Sequence, residues 1–165
     1  MAFLTGCAIF IQQYYNSREV DILATPRELR AAIVDTRAHF QAALHGAHHN
    51  WEKSPAGGED EECWSPRKVA DHFIAADWHF TNSISQACGA PAFERPSIDV
   101  SSPAAAATSA TLVAATNDNI LRHVSDGDLS KTHEMGQLGK RSVEELLTLM
   151  ASHGQDHVNQ IKAAS

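Results

Sequence analysis

The sequence predicts an all-α fold, an antiparallel four-helix bundle, and three observations carry that reading. Four segments repeat apolar residues at steps of three to four, the mark of a helix with one buried stripe. Each opens on a Ser or Thr cap, and at Thr25-Pro26, Ser65-Pro66 and Ser102-Pro103 a proline follows the cap at once. No segment sustains the apolar–polar alternation of a strand.

Residues 1–24 stand apart from these segments. Ala8-Ile9-Phe10-Ile11 and Tyr14-Tyr15 suit either a leader or a short helix docked on a bundle formed by residues 25–165. Leu4-Thr5-Gly6-Cys7 matches a lipoprotein cleavage box, but neither a basic segment nor an apolar run precedes the cysteine, so the match reads as chance.

The first helix opens with Thr25-Pro26-Arg27-Glu28, a cap, a first-turn proline and the acid of a capping box. Leu29, Ile33, Thr36, Phe40 and Ala43/Leu44 form its stripe, which fades at Gly46–Asn50. An acidic connection from about Glu52 to Cys63 follows. The second helix starts at Ser65-Pro66, carries Val69, His72/Phe73, Ala76, Phe80, Ile84 and Ala87 inward, and stops at Gly89 and Pro91. Residues 88–102 form a long crossover. The third helix runs from Ser102-Pro103 through an alanine-rich tract to about Val124, with Ala110, Val113, Ile120 and Val124 inward. Residues 125–141 read as a polar loop with three glycines. Ser142-Val143-Glu144-Glu145 is a second capping box, and Val143, Leu146/Leu147, Met150, His153, His157 and Ile161 define the last stripe.

At 165 residues the chain suits one domain. Its net charge of −7 and its lack of Lys/Arg clusters argue against nucleic acid and anionic membranes as partners. No stretch approaches the roughly 18 apolar residues of a membrane span. Cys7, Cys63 and Cys88 are widely spaced without a Cys-x-x-Cys pair, and read as free thiols of a cytoplasmic protein.

Two of the four stripes place histidine where an apolar residue belongs. His153 and His157, spaced i,i+4, project from one face of the last helix, and His72 takes an inward position on the second. A buried imidazole is costly unless its nitrogens find partners, and one divalent ion satisfies three rings at once. His45 and His49 form a rival i,i+4 pair, but with His48 they lie where the first helix ends, beside Gly46. His39 and His79 flank their stripes, His123 ends the third helix, and His133 falls in a loop.

Other catalytic templates fail. Gly154 occupies the place of the Glu in a His-Glu-x-x-His metalloprotease, and the Glu-x-x-His ligands of di-iron bundles are missing from the stripes. There is no phosphate loop and no nucleophile elbow. Asp71 and Asp156 read as solvated helix residues rather than general bases.

Trp64-Ser65-Pro66 with Val69 and His72, Gly139-Lys140-Arg141-Ser142 with Leu146-Leu147, and His153-x-x-x-His157 followed by Gln160-Ile161 together resemble the DinB-like (YfiT-type) metal-binding bundles over residues 26–164. The resemblance implies that His72, His153 and His157 bind zinc, nickel or a similar ion, with water in the remaining positions. It implies a homodimer and a small-molecule substrate. Characterised relatives include thiol transferases and isomerases using low-molecular-weight thiols, and others are described as hydrolases. Gly154 departs from the pattern, since relatives often carry an acid there. The expected activity is thus a metal-activated thiol or water. A non-catalytic ligand-binding bundle and a structural metal site closed by His45, His48 or His49 are the rivals.

Overall fold

The computed structural model describes residues 24–55 and 61–164. The leader or docked helix expected over residues 1–24 lies outside these, apart from Ala24, which packs against the core. Among the described residues, four long helices form: α1 (Pro26–Gly46), α2 (Pro66–Ala87), α3 (Pro103–Leu121) and α4 (Val143–Ala164).

The caps form as their chemistry requires. Thr25 Oγ1 accepts from Glu28 N at 3.3 Å, and the Glu28 carboxylate accepts from Thr25 N at 2.8 Å. Ser142 and Glu145 repeat the exchange at 3.1 and 2.7 Å ahead of α4. Ser65 and Ser102 cap α2 and α3 on Lys68 N and Ala105 N. Each bond satisfies an amide that the first turn would otherwise orphan.

α1 packs on α3 and α4, and α2 packs on the same two, so α1 faces α2 across the core. One core cluster joins Leu29 and Ile33 of α1 to Phe80 and Ile84 of α2, Leu121 of α3 and Leu146 of α4. The other joins Phe40 and Leu44 to Val69 and Phe73, Ala106 and Ala110, and Val158 and Ile161. The start of α1 therefore meets the start of α4 but the ends of α2 and α3. α1 and α4 run antiparallel to α2 and α3. The connection from α2 to α3 must return the chain along the bundle's length. A helix of that size rises about 33 Å, and extended chain over residues 88–102 reaches about 50 Å, enough for the return.

The structure departs from expectation twice. The 125–141 segment is not a plain polar loop. Thr132–Glu134 (β1) pairs antiparallel with Lys140–Ser142 (β2), His133 opposite Arg141. Strands of three residues are too short to display alternation. The turn between them uses Gly136 and Gly139 at positive φ (63° and 70°) and tucks Met135 and Leu138 onto the core. The third helix also ends at Leu121 rather than Val124, and its inward line is Ala106, Ala110, Val113, Asn117 and Leu121. Ile120 is only half-buried. Asn117 stays inward because its Nδ2 donates to the Asp77 carbonyl at 3.0 Å. Asp77 in turn receives both Nε and a terminal nitrogen of Arg37 at 3.0 and 2.9 Å, tying α1, α2 and α3 together beneath the histidines.

Candidate metal centre

His72 reaches inward from α2, and His153 and His157 reach from successive turns of α4, which runs antiparallel to it. The Nε2 of His153 lies 3.1 Å from the Nε2 of His72 and 3.1 Å from that of His157. All three ligand atoms lie within 4.8 Å of one another. Nitrogens bound at 2.0–2.1 Å to one ion are separated by about 2.9 Å in octahedral and about 3.4 Å in tetrahedral geometry, so the spacing fits a single ion. His45, His48 and His49 stay at the end of α1 and in the turn after it, His123 and His133 are elsewhere, and none joins the cluster.

The protonation of the rings points the same way. Burial first, and then the charges of His157 and Lys68, push His72 down to about 4. Burial likewise pushes His153 well below its ordinary value, and lowers His157. Near neutral pH all three rings are uncharged and each offers a lone pair. His157 Nδ1 donates to Gln160 Oε1 at 3.1 Å, and the Gln160 amide is oriented by a short hydrogen bond from its Nε2 to the Glu61 carbonyl. The proton of neutral His157 is therefore on Nδ1, and its Nε2 is bare. His153 Nε2 can donate one proton to one neighbour only, so the three inward nitrogens cannot satisfy one another. A cation at their centre satisfies all of them.

The packing around the rings is aromatic. Trp64 meets His72 edge-on with centroids 5.2 Å apart, and Phe80 meets His153 edge-on at 6.1 Å. Gly154, the residue that departs from the expected acid, faces the core. A Cβ there would lie 2.6 Å from Thr36 Cγ2 and 3.1 Å from Phe73 Cε2. An acidic side chain has no room at this position, so no acid–base role falls to it. Asp156 is exposed as expected, whereas Asp71 is half-buried at the wall of a cavity.

That cavity, about 400 Å³, opens beside the cluster and is lined by His72, His153, Trp64, Trp78, Lys68 and Leu138, among others. A larger surface recess of about 560 Å³ lies along α1 and α3 near Arg30, Val34 and Arg122 and touches none of the three histidines. His79, expected only to flank its stripe, lines the mouth of the 400 Å³ cavity with Arg95.

A family model described as the DinB superfamily matches residues 46–161. The chain belongs to the DinB superfamily. The match spans α2, α3 and nearly all of α4, and so includes every residue of the histidine cluster. No curated protein and no solved structure matches this DinB-like chain. No helix among the described residues is long and apolar enough to cross a membrane.

Sequence reasoning missed Glu61. Its Oε1 lies 3.6 Å from His157 Nε2, and burial, reinforced by the charge of Asp156, pushes its carboxyl above the ordinary range. It lies in an acidic stretch without periodicity, where one carboxylate cannot be told from its neighbours. The Gln160 of the family motif, which holds the Glu61 carbonyl, is the one signal that pointed there.

Proposed function

We propose that this DinB-like chain is a metal-dependent enzyme, in which His72, His153 and His157 hold one zinc or nickel ion that activates a low-molecular-weight thiol for transfer or isomerisation. The observation that carries the reading is the convergence of three histidine Nε2 atoms, with His72 and His153 at the wall of a cavity of about 400 Å³. When bound, such an ion supplies a Lewis acid, lowering the pKa of a joining thiol or water by several units. Preference for a thiol over water rests on the family resemblance, and hydrolysis is the alternative.

The chain's own residues do the rest. Gln160 fixes the tautomer and rotation of His157. Trp64 and Phe80 hold the other rings by their edges and keep that side of the cluster apolar. Lys68 and Arg95 at the cavity mouth attract an anionic substrate group in a chain whose net charge is −7. No protein nucleophile is required.

Elemental analysis of untagged protein is expected to find about one transition-metal ion per chain. His153→Ala should lose it and His133→Ala should keep it. Equal retention by the two variants rejects the site. For the reaction, the protein is incubated with a panel of low-molecular-weight thiols and an electrophilic acceptor, before and after chelation. Product formation no faster than the metal-free blank with every thiol removes the transferase reading, and leaves a binding module. The homodimer belongs to the same proposal, and a monomeric mass by light scattering overturns that part.

A further inference from the structure

The connection between α1 and α2 ends in a single 3-10 turn, Glu61–Cys63, just ahead of the Ser65 cap. This turn is held against α4 through Gln160. The Glu61 carbonyl accepts from Gln160 Nε2, and the oxygen of that amide accepts from His157 Nδ1. The backbone of Glu61 and the ring of His157 are thus joined through one side chain.

That attachment places the Glu61 carboxylate beside His157. Its side chain is only 16% exposed, and Oε1 lies 3.6 Å from His157 Nε2. Oε2 is buried and meets no hydrogen-bond donor among the described residues. Removing a carboxylate from water without giving it donors is costly, and the imidazole nitrogen of His157 lies 3.6 Å from its other oxygen. A cation bound between them would give both groups a partner.

We propose that Glu61 is a fourth protein donor to the ion held by His72, His153 and His157, through a carboxylate oxygen. The inference rests on the metal reading above and extends it, since three histidines alone leave the ion's charge of two uncompensated. With Glu61 bound, the net charge of the centre falls by one. The Glu61 oxygens stand outside the set of ligand atoms that lie within 4.8 Å of one another, so ligation requires the short turn that carries the carboxylate to shift toward His72 and His153. The acidic stretch ahead of α2 then has a defined task at its Glu61 end.

Zinc affinity measured by chelator competition tests this on the full chain, with wild type, Glu61→Gln, Glu62→Gln and His153→Ala compared. Glu61→Gln keeps the shape of the side chain and removes its charge. It is expected to weaken zinc binding by at least about 100-fold, beyond the 10- to 100-fold typical of groups that only support a ligand. Glu62→Gln, exposed on the same turn, is expected to match wild type. Cobalt-loaded Glu61→Gln is expected to show shifted visible d–d bands, because a donor atom has been exchanged. If wild type binds zinc, His153→Ala does not, and Glu61→Gln equals wild type in affinity and cobalt spectrum, the Glu61 assignment is overturned while the histidine site stands. If wild type itself binds no zinc, the metal reading fails first. Should Glu61→Gln prove unfolded by circular dichroism, a crystal structure of zinc-loaded wild type decides. A Glu61 oxygen at about 2.0–2.2 Å from the ion supports the proposal, and water in that position overturns it.

Discussion

Gln160 Oε1 accepts the Nδ1 proton of His157 at 3.1 Å, and this one bond decides which nitrogen of His157 faces the cluster. Gln160→Ala is expected to free the ring to change tautomer and rotate, and to release the Glu61 turn. Zinc affinity should fall by about 10- to 100-fold. Asn159→Ala, on the exposed side of the same turn of α4, should leave it unchanged. Chelator competition reads both, and equal affinities for the two variants would contradict the role given to Gln160.

The metal-free protein should lose stability in mild acid. His72 falls from an ordinary value of 6.5 to about 4 on folding, so between these limits the unfolded chain binds a proton that the folded chain refuses. Stability is therefore full above about pH 6.5 and declines as pH drops toward 4, by roughly 3 kcal/mol for this residue. His153 and His157 shift in the same direction and add to the loss. Urea denaturation of chelated protein at pH 7.5 and pH 4.5 measures the difference. His72→Gln should show a smaller one, and an unchanged difference would refute the assignment.

Gly154 is held to glycine by contact, since its φ is not positive. Gly154→Ala places a methyl 2.6 Å from Thr36 Cγ2, and such overpacking costs about 1–3 kcal/mol, against a helix-propensity gain of about 1 kcal/mol. A net loss is expected. Thr36→Ser removes the clashing methyl yet keeps the hydroxyl that donates to the Ala151 carbonyl at 3.2 Å. The double variant should therefore recover part of the loss. Strict additivity in thermal melts would show that the two positions do not meet.

Arg37 and Asp77 form a two-bonded ion pair with each side chain 10% exposed. Asp77→Ala strands the guanidinium and is expected to cost about 3–5 kcal/mol. Asp118 also reaches Arg37, at 2.5 Å, but its side chain is 54% exposed, so Asp118→Ala should cost about 1 kcal/mol or less. Similar losses for the two in urea denaturation would reverse this ranking.

The helices were legible because their ends and stripes are local facts. Thr25, Ser65, Ser102 and Ser142 announce the starts, and apolar spacing announces the buried faces. His72, His153 and His157 stood out because they interrupt those stripes, and the structure brings them together. What remained hidden depends on partners distant in sequence. Asn117 reads as a surface residue until the Asp77 carbonyl is opposite it. The Met135–Leu138 turn looks polar until it folds back onto the core, and Glu61 is one acid among several until Gln160 draws its backbone to α4.

The contact between His72 and His153 spans 81 positions of the chain. In the unfolded chain, His153 and His157 are near each other but His72 wanders freely. Anything that grips all three therefore closes a large loop, as a disulfide would, and by mass action favours the folded state. If the proposed ion binds, occupancy of the site sets how long the folded chain withstands heat or proteases.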